Sequence, residues 1–234
     1  MNGLQVLDCK NNNMLKSVRT VIDILMILLM PLLMAYSLVG ETLHEIIGTA
    51  IFVLFITHHV INRKWYSALN KGRYNAQRII RTVLDLLLFV FMILQPVSGM
   101  LISKHLYTFI PVLPVTSLMR TIHLIGSYWG FVLLSFHAGI HLKPLVNKVC
   151  VNKAARIIFI VVSLIISLFG CYVFYKRGFA GYMTGKNAFF FIDLNESRIL
   201  FYLEHLAVMI LFETVGYMVF NLLFGTKEDK KCIG

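Results

Sequence analysis

Charge is what this sequence has least of. Only 14% of its 234 residues are charged, against roughly a quarter in an ordinary soluble domain. Acids are the scarcer sign, 11 Asp and Glu facing 22 Lys and Arg. The four cysteines form neither a C-x-x-C pair nor a C-x-x-C-H box, which leaves no signature of thiolate metal binding or covalent haem attachment. Cys9, Cys150, Cys171 and Cys232 read as packing or surface thiols, and the tail Cys232-Ile233-Gly234 is one residue short of a prenylation box. There is no G-x-S-x-G elbow and no G-x-G-x-x-G fingerprint, so neither a serine hydrolase nor a nicotinamide-binding domain is indicated. His44-Glu45-Ile46-Ile47-Gly48 begins like a zinc-protease helix but lacks the second histidine.

What the chain does have is apolar length. Hydrophobic residues make up 58% of it, and its mean hydropathy is +0.77. Stretches near the roughly 20 residues needed to cross a bilayer fall at 19–39, 42–62, 82–103, 121–142, 154–176 and 199–224. The expected fold is all-α, an integral membrane bundle of six helices in one domain (19–224). An arm (1–18) precedes it and a tail (225–234) follows. The Asn-rich arm has no h-region with a small-residue cleavage site and is not expected to be a removable signal.

Basic residues collect in alternate connections. Arg63, Lys64, Lys71, Arg73, Arg78 and Arg81 fill 63–81 without an acid, and Lys143, Lys148, Lys153 and Arg156 do the same for 143–156. Such segmentation argues against a nucleic-acid surface. By the positive-inside rule it puts these loops and both termini in the cytoplasm. The loops 104–120 and 177–198 then lie outside, with aromatic residues such as Trp65, Tyr107 and Tyr175 near the span ends.

Histidine is the informative residue, because a titratable side chain within a membrane is costly and points to function. Six of the eight lie in the second and fourth spans: His44, His58 and His59, then His123, His137 and His141. His44 to His58 is a gap of 14 residues, as is His123 to His137. At about 3.6 residues per turn, each gap is almost four turns, which puts both members on one face about 21 Å apart. Both spans run in the same direction, so His44 is expected to face His123 at the outer level and His58 to face His137 at the inner. Two neutral imidazoles opposed across a flat porphyrin fill both axial positions of its iron, and helical bundles build cofactor sites from facing helices. Gly48 and Gly130 give a ring room beside the backbone, and Arg120 suits an outer propionate or a plain interfacial anchor. His59 and His141 either replace their neighbours, contact a propionate, or face the cytoplasmic surface.

The run His44-Glu45, Gly48, His58-His59, Asn62, Trp65, followed by Asp85, Ser98-Gly99, His123, Tyr128-Trp129-Gly130, His137 and His141, resembles the flavinylation-associated cytochrome family of bacterial membrane proteins. More broadly it is similar to di-haem cytochromes b and ferric-reductase-like membrane domains. The resemblance covers the first four spans; the last two match in length and hydropathy. It implies two haems b and electron transfer across a bacterial plasma membrane, toward an extracytoplasmic acceptor such as a flavoprotein. With about ten residues after 224, the donor is expected to be a quinol or a separate cytoplasmic reductase. The competing reading is a haem-free transporter or channel whose His and Glu residues form a proton path. Glu204, His205 and Glu213 in the last span either make structural bonds to a neighbouring helix, the favoured expectation, or relay protons at a quinone site.

Other intramembrane groups have plainer expectations. Asp23 and Asp85 suit the positive ends of their helices, with Arg19 and Arg81 as nearby partners. Gln95-Pro96 and Pro31 are expected to kink helices rather than bind anything. Phe189-Phe190-Phe191 reads as an interfacial segment.

Overall fold

A computed structural model describes residues 3–110, 116–187 and 196–224; side chains of the first helix are described from Met14 onward. The tail 225–234 and Phe189-Phe190-Phe191 lie outside the described residues. Only helices occur among the described residues: α1 (Gly3–Met34), α2 (Tyr36–Val39), α3 (Glu41–Ile61), α4 (Lys64–Leu69), α5 (Ala76–Leu101), α6 (Thr116–His141), α7 (Lys143–Val149), α8 (Lys153–Lys176), α9 (Phe179–Met183) and α10 (Arg198–Phe224).

Five of these are long and apolar enough to cross a membrane: Met14–Met34 within α1, then α3, α5, α8 and α10. The chain is a multi-pass membrane protein. Rows of large apolar side chains point outward, among them Val83 and Val90 on α5 and Ile158, Ile165 and Leu168 on α8, a surface that water does not tolerate and lipid does. The other long helix, α6, has 26 residues, but His123, Ser127, Ser135, His137 and several glycines dilute its apolar content. That surface faces inward: α6 packs between α5 and α10, Tyr128, Phe131 and Ser135 on it are buried, and His123, Ser127 and Gly130 line a cavity.

Local sequence sets the boundaries. Pro31 stands inside the last turn of α1, where its missing N–H weakens the helix. Gly40 then turns the chain into α3 with φ +88, a left-handed conformation that other residues rarely adopt. Asn75 and Asn152 cap α5 and α8, accepting from the backbone N–H of Arg78 at 2.9 Å and of Ala155 at 2.8 Å, which satisfies one orphan donor at each helix start. On the basic side, Arg78 donates to the Ala68 carbonyl at 2.6 Å and so tethers the short α4 to α5.

The tightest packing surrounds α10. Gly139 meets the Glu213 backbone and Gly216 the Phe136 backbone, so α6 and α10 approach at two reciprocal glycines; Gly170 and Ala207 do the same between α8 and α10. Phe131, Val173, Phe179, Phe201 and Val208 fill the core at this junction. Glu204 is buried there, paired with Lys176 at 2.7 Å and with Arg177. Arg177 also grips Glu196, and these carboxylates hold its guanidinium pKa above the ordinary value. Glu204 is thus a structural tie. His205 Nδ1 donates to the Phe201 carbonyl at 2.9 Å, and its ring stacks on that of Phe201.

Candidate cofactor site between two histidine helices

The two histidine helices do not pack directly together. α3 rests on α1 and α5, whereas α6 rests on α5 and α10. Between them, at the Gly40 end, opens a cavity of about 470 Å³ lined from α1, α3, α5 and α6, within the range of roughly 300–1,000 Å³ that holds cofactors and small ligands. Most of its wall is apolar, with Met30, Leu33 and Phe52 prominent.

His44 and His123 face each other in this cavity with ring centroids 6.1 Å apart and planes at 73°. Two imidazoles on opposite sides of one metal ion, each bonded at about 2 Å with about 1 Å more from nitrogen to ring centre, stand roughly 6 Å apart. The spacing fits a shared metal centre. His123 is held firmly: its Nδ1 lies 3.2 Å from the Gln95 carbonyl and 3.1 Å from Ser98 Oγ, which favours the tautomer that leaves Nε2 with its lone pair. Gln95 donates in addition to the His123 carbonyl at 3.2 Å. Gly126 and Gly99 make this possible, because a Cβ at the first would strike the Gln95 amide and one at the second would press on the His123 ring. His44 sits edge-on to Tyr36 with the Leu33 carbonyl beside it.

Gly48, Gly130 and Arg120 all line the cavity. A Cβ at Gly130 would meet nothing within 4 Å, so no protein atom explains why the position is glycine. Arg120 has no ion pair among the described residues and reaches the mouth beside Lys104, whose Nζ bonds Glu41 at 2.6 Å. Glu45 closes this end by accepting from Ser103 Oγ at 2.8 Å, Lys104 N at 2.9 Å and Leu106 N at 2.7 Å, and Tyr107 bonds Thr49 at 2.8 Å.

The second level, near the Asn62 end of α3, holds the other four histidines of α3 and α6. His58 Nδ1 lies 2.8 Å from Asp23 of α1. His137 Nδ1 lies 3.0 Å from Asp85 of α5, too misaligned for a formed hydrogen bond, so both atoms remain unpartnered. The His141 ring lies 4.7 Å from that of His137, tilted by 51°, and the ligand atoms of Asp85, His137 and His141 lie within 4.8 Å of one another, near enough to hold a cation between them. His59 bonds Tyr66 at 2.6 Å and packs on Phe55 and Phe89; burial pushes the Tyr66 phenol pKa up.

Five buried side-chain nitrogen or oxygen atoms lack a hydrogen-bond partner among the described residues: His44 Nδ1, His137 Nδ1, Asp85 Oδ1, Arg19 Nε and Arg81 Nε. All five belong to the two histidine levels. Buried polar groups are normally satisfied; two of these five, His137 Nδ1 and Asp85 Oδ1, face each other at 3.0 Å as an ion pair.

Three expectations change. Asp23 and Asp85 face histidines on the next long helix; Arg19 and Arg81 make no ion pair with them, and turn instead to the Ile61 carbonyl and the Phe220 ring. Gln95 does more than stand beside a kink. The sequence signal for the aspartates was available: Arg19-Thr20-Val21-Ile22-Asp23 recurs as Arg81-Thr82-Val83-Leu84-Asp85. Each copy precedes one His-x13-His helix and supplies a carboxylate to that helix's second histidine. No protein-family model matches the chain, and no curated protein or solved structure matches it either.

Proposed function

We propose that the chain is a di-haem b-type cytochrome of six transmembrane helices, with α6 as the sixth, carrying electrons across a bacterial plasma membrane. The observation that carries this reading is the His44–His123 pair, 6.1 Å between rings across an apolar cavity of about 470 Å³. The residues present fit the group: an open glycine at Gly130, a histidine oriented through its other nitrogen, and a cation at the mouth. Haem held by these histidines would supply one-electron exchange.

His44 and His123 serve as ligands at the first level, His58 and His137 at the second. Gln95 and Ser98 fix the His123 ring, and Asp23 and Asp85 face the Nδ1 atoms of the second pair, the outer support that metal-binding histidines generally require. Arg120 and Lys104 offer positive charge to carboxylates at the first level; the unpartnered Arg19 and Arg81 nitrogens do so at the second. Gly48 and Gly130 leave space, while His59 and His141 complete the wall. The apolar lining keeps water from the first level. The basic loops put the second level near the cytoplasm, so a quinol or a separate cytoplasmic reductase delivers electrons there. An extracytoplasmic acceptor of the flavoprotein class collects them at the first level. This reading agrees with the resemblance to flavinylation-associated cytochromes.

Absorption spectroscopy on the purified chain tests it. The expected result is a Soret band, a dithionite-reduced α band, two haems b per chain and no carbon monoxide shift. Absence of a Soret band in protein made with ample haem would overturn the reading in favour of a haem-free His/Glu proton path. One haem per chain would overturn the second-level assignment.

A further inference from the structure

The two levels differ in what stands behind their histidines. At the first level the partners are neutral: the Gln95 carbonyl and Ser98 hydroxyl at His123, and the Leu33 carbonyl beside His44. At the second level both histidines face a carboxylate, Asp23 Oδ1 at 2.8 Å and Asp85 Oδ1 at 3.0 Å. The arrangement is duplicated, one Arg-Thr-Val-x-Asp helix serving each second-level histidine. Neither adjacent arginine forms an ion pair with its carboxylate: Arg19 is engaged by the Ile61 carbonyl at 3.1 Å, and Arg81, within electrostatic range of Asp85, lies 4.3 Å over the Phe220 ring.

A carboxylate at Nδ1 makes an imidazole a stronger electron donor to metal at Nε2, and outer-sphere partners of this kind are an established lever on metal potential. Greater donation stabilises the ferric form. Resting on the di-haem reading, we infer that Asp23 and Asp85 are paired positioning residues that make the second-level haem the low-potential one and so set the direction of electron flow. A single electron moved from the second level to the first oxidises one iron and reduces the other, with no proton transferred and no bond made or broken. A quinol or reductase at the basic side restores the first of these, and a flavoprotein acceptor drains the other. The chain is thereby a rectifier: its second shell favours outward transfer, from the basic face to the Gly40 end.

Redox titration of the purified chain, followed at the α bands, tests this. The two bands are assigned by which one disappears in His44→Ala and which in His58→Ala. In the unaltered protein the second-level haem should titrate at the lower potential. Asp23→Asn and Asp85→Asn keep the side-chain shape and remove the charge. Each should raise the second-level potential so that its reduction equilibrium shifts about tenfold, about 59 mV for a one-electron couple, with the first level unmoved. Asp85→Glu, which restores the charge, should return the potential toward its original value. Ser98→Ala should leave the second level untouched. A first-level haem that titrates below the second in the unaltered protein would overturn the inference without any aspartate variant. So would Asn variants that leave the second-level potential where it was, or move both levels equally. These failures are distinct from failure of the haem reading itself, which shows as an absent Soret band before any titration begins.

Discussion

At the scale of single residues, the glycines separate the protein's own needs from those of a ligand. A side chain at Gly126 would collide with the Gln95 amide, whereas one at Gly130 would enter open cavity. Gly130→Leu is therefore expected to fold, helped by a helix propensity up to about 1 kcal/mol better than glycine's, yet to lose first-level haem because the leucine occupies its space. Gly126→Ala should act indirectly, displacing Gln95 from His123 and weakening haem affinity by roughly 10- to 100-fold, as loss of an outer-sphere partner does. Haem-to-protein ratios and thermal unfolding in detergent distinguish the two: retained stability with one haem missing for Gly130→Leu, weakened haem retention for Gly126→Ala. Full haem content in Gly130→Leu would mean that the cavity beside Gly130 is not where haem binds. The histidines themselves were legible in the sequence, since a gap of 14 residues is close to a whole number of helical turns. Their partners were not. With spans expected from 19 and 82, Asp23 and Asp85 read as acids at helix starts, for which the helix dipole accounts. α1 in fact begins at Gly3 and α5 at Ala76, which removes that explanation, and periodicity within one helix carries no information about which neighbour it faces.

At the scale of elements, apolar length located the long helices to within a few residues, apart from α1, whose helix begins at Gly3 and runs through the polar arm. Hydropathy is least informative for α6, which is wrapped by protein and so does not need a fully apolar surface. Helix packing is also hidden from a single sequence, because glycine is common in membrane helices whatever its role. The structure gives Gly139 and Gly216 that role: they let α6 and α10 approach backbone to backbone, the small-residue contact through which membrane helices associate. Gly139→Leu and Gly216→Leu should each force this pair apart and cost about 1–3 kcal/mol, the usual range for overpacking. Unfolding in detergent should show both variants losing stability, while Gly48→Ala, whose added Cβ makes only ordinary contact at 3.8 Å with Leu33, should not. Unchanged stability in both leucine variants would mean that α10 is not clamped to α6 in this way.

At the scale of the whole molecule, the question is whether the site is organised by helix or by level. The sequence carries the histidines on two separate helices; His44 meets His123 across them, and Asp23 with His58 and Asp85 with His137 stand some four turns further along. If function follows that geometry, substitutions group by level. His44→Ala and His123→Ala should remove or disturb the same haem, and His58→Ala and His137→Ala the other. The two pairs should also differ in what survives. Losing a first-level ligand leaves the second-level haem reducible by a donor on the basic side. Losing a second-level ligand spares the first-level haem but cuts its reduction by that donor, because the remaining gap then includes the roughly 21 Å between levels out of a hydrocarbon core about 30 Å thick. Tunnelling falls steeply over such a distance. Haem content, redox spectra and donor-driven reduction rates of the four single variants decide the matter. Loss of one and the same haem in His44→Ala and His58→Ala would overturn the two-level arrangement. A silent His58→Ala beside a haem-depleted His59→Ala would move the ligand one position along α3 and leave the levels intact, since His59 also stands within electrostatic range of His137 and Asp85.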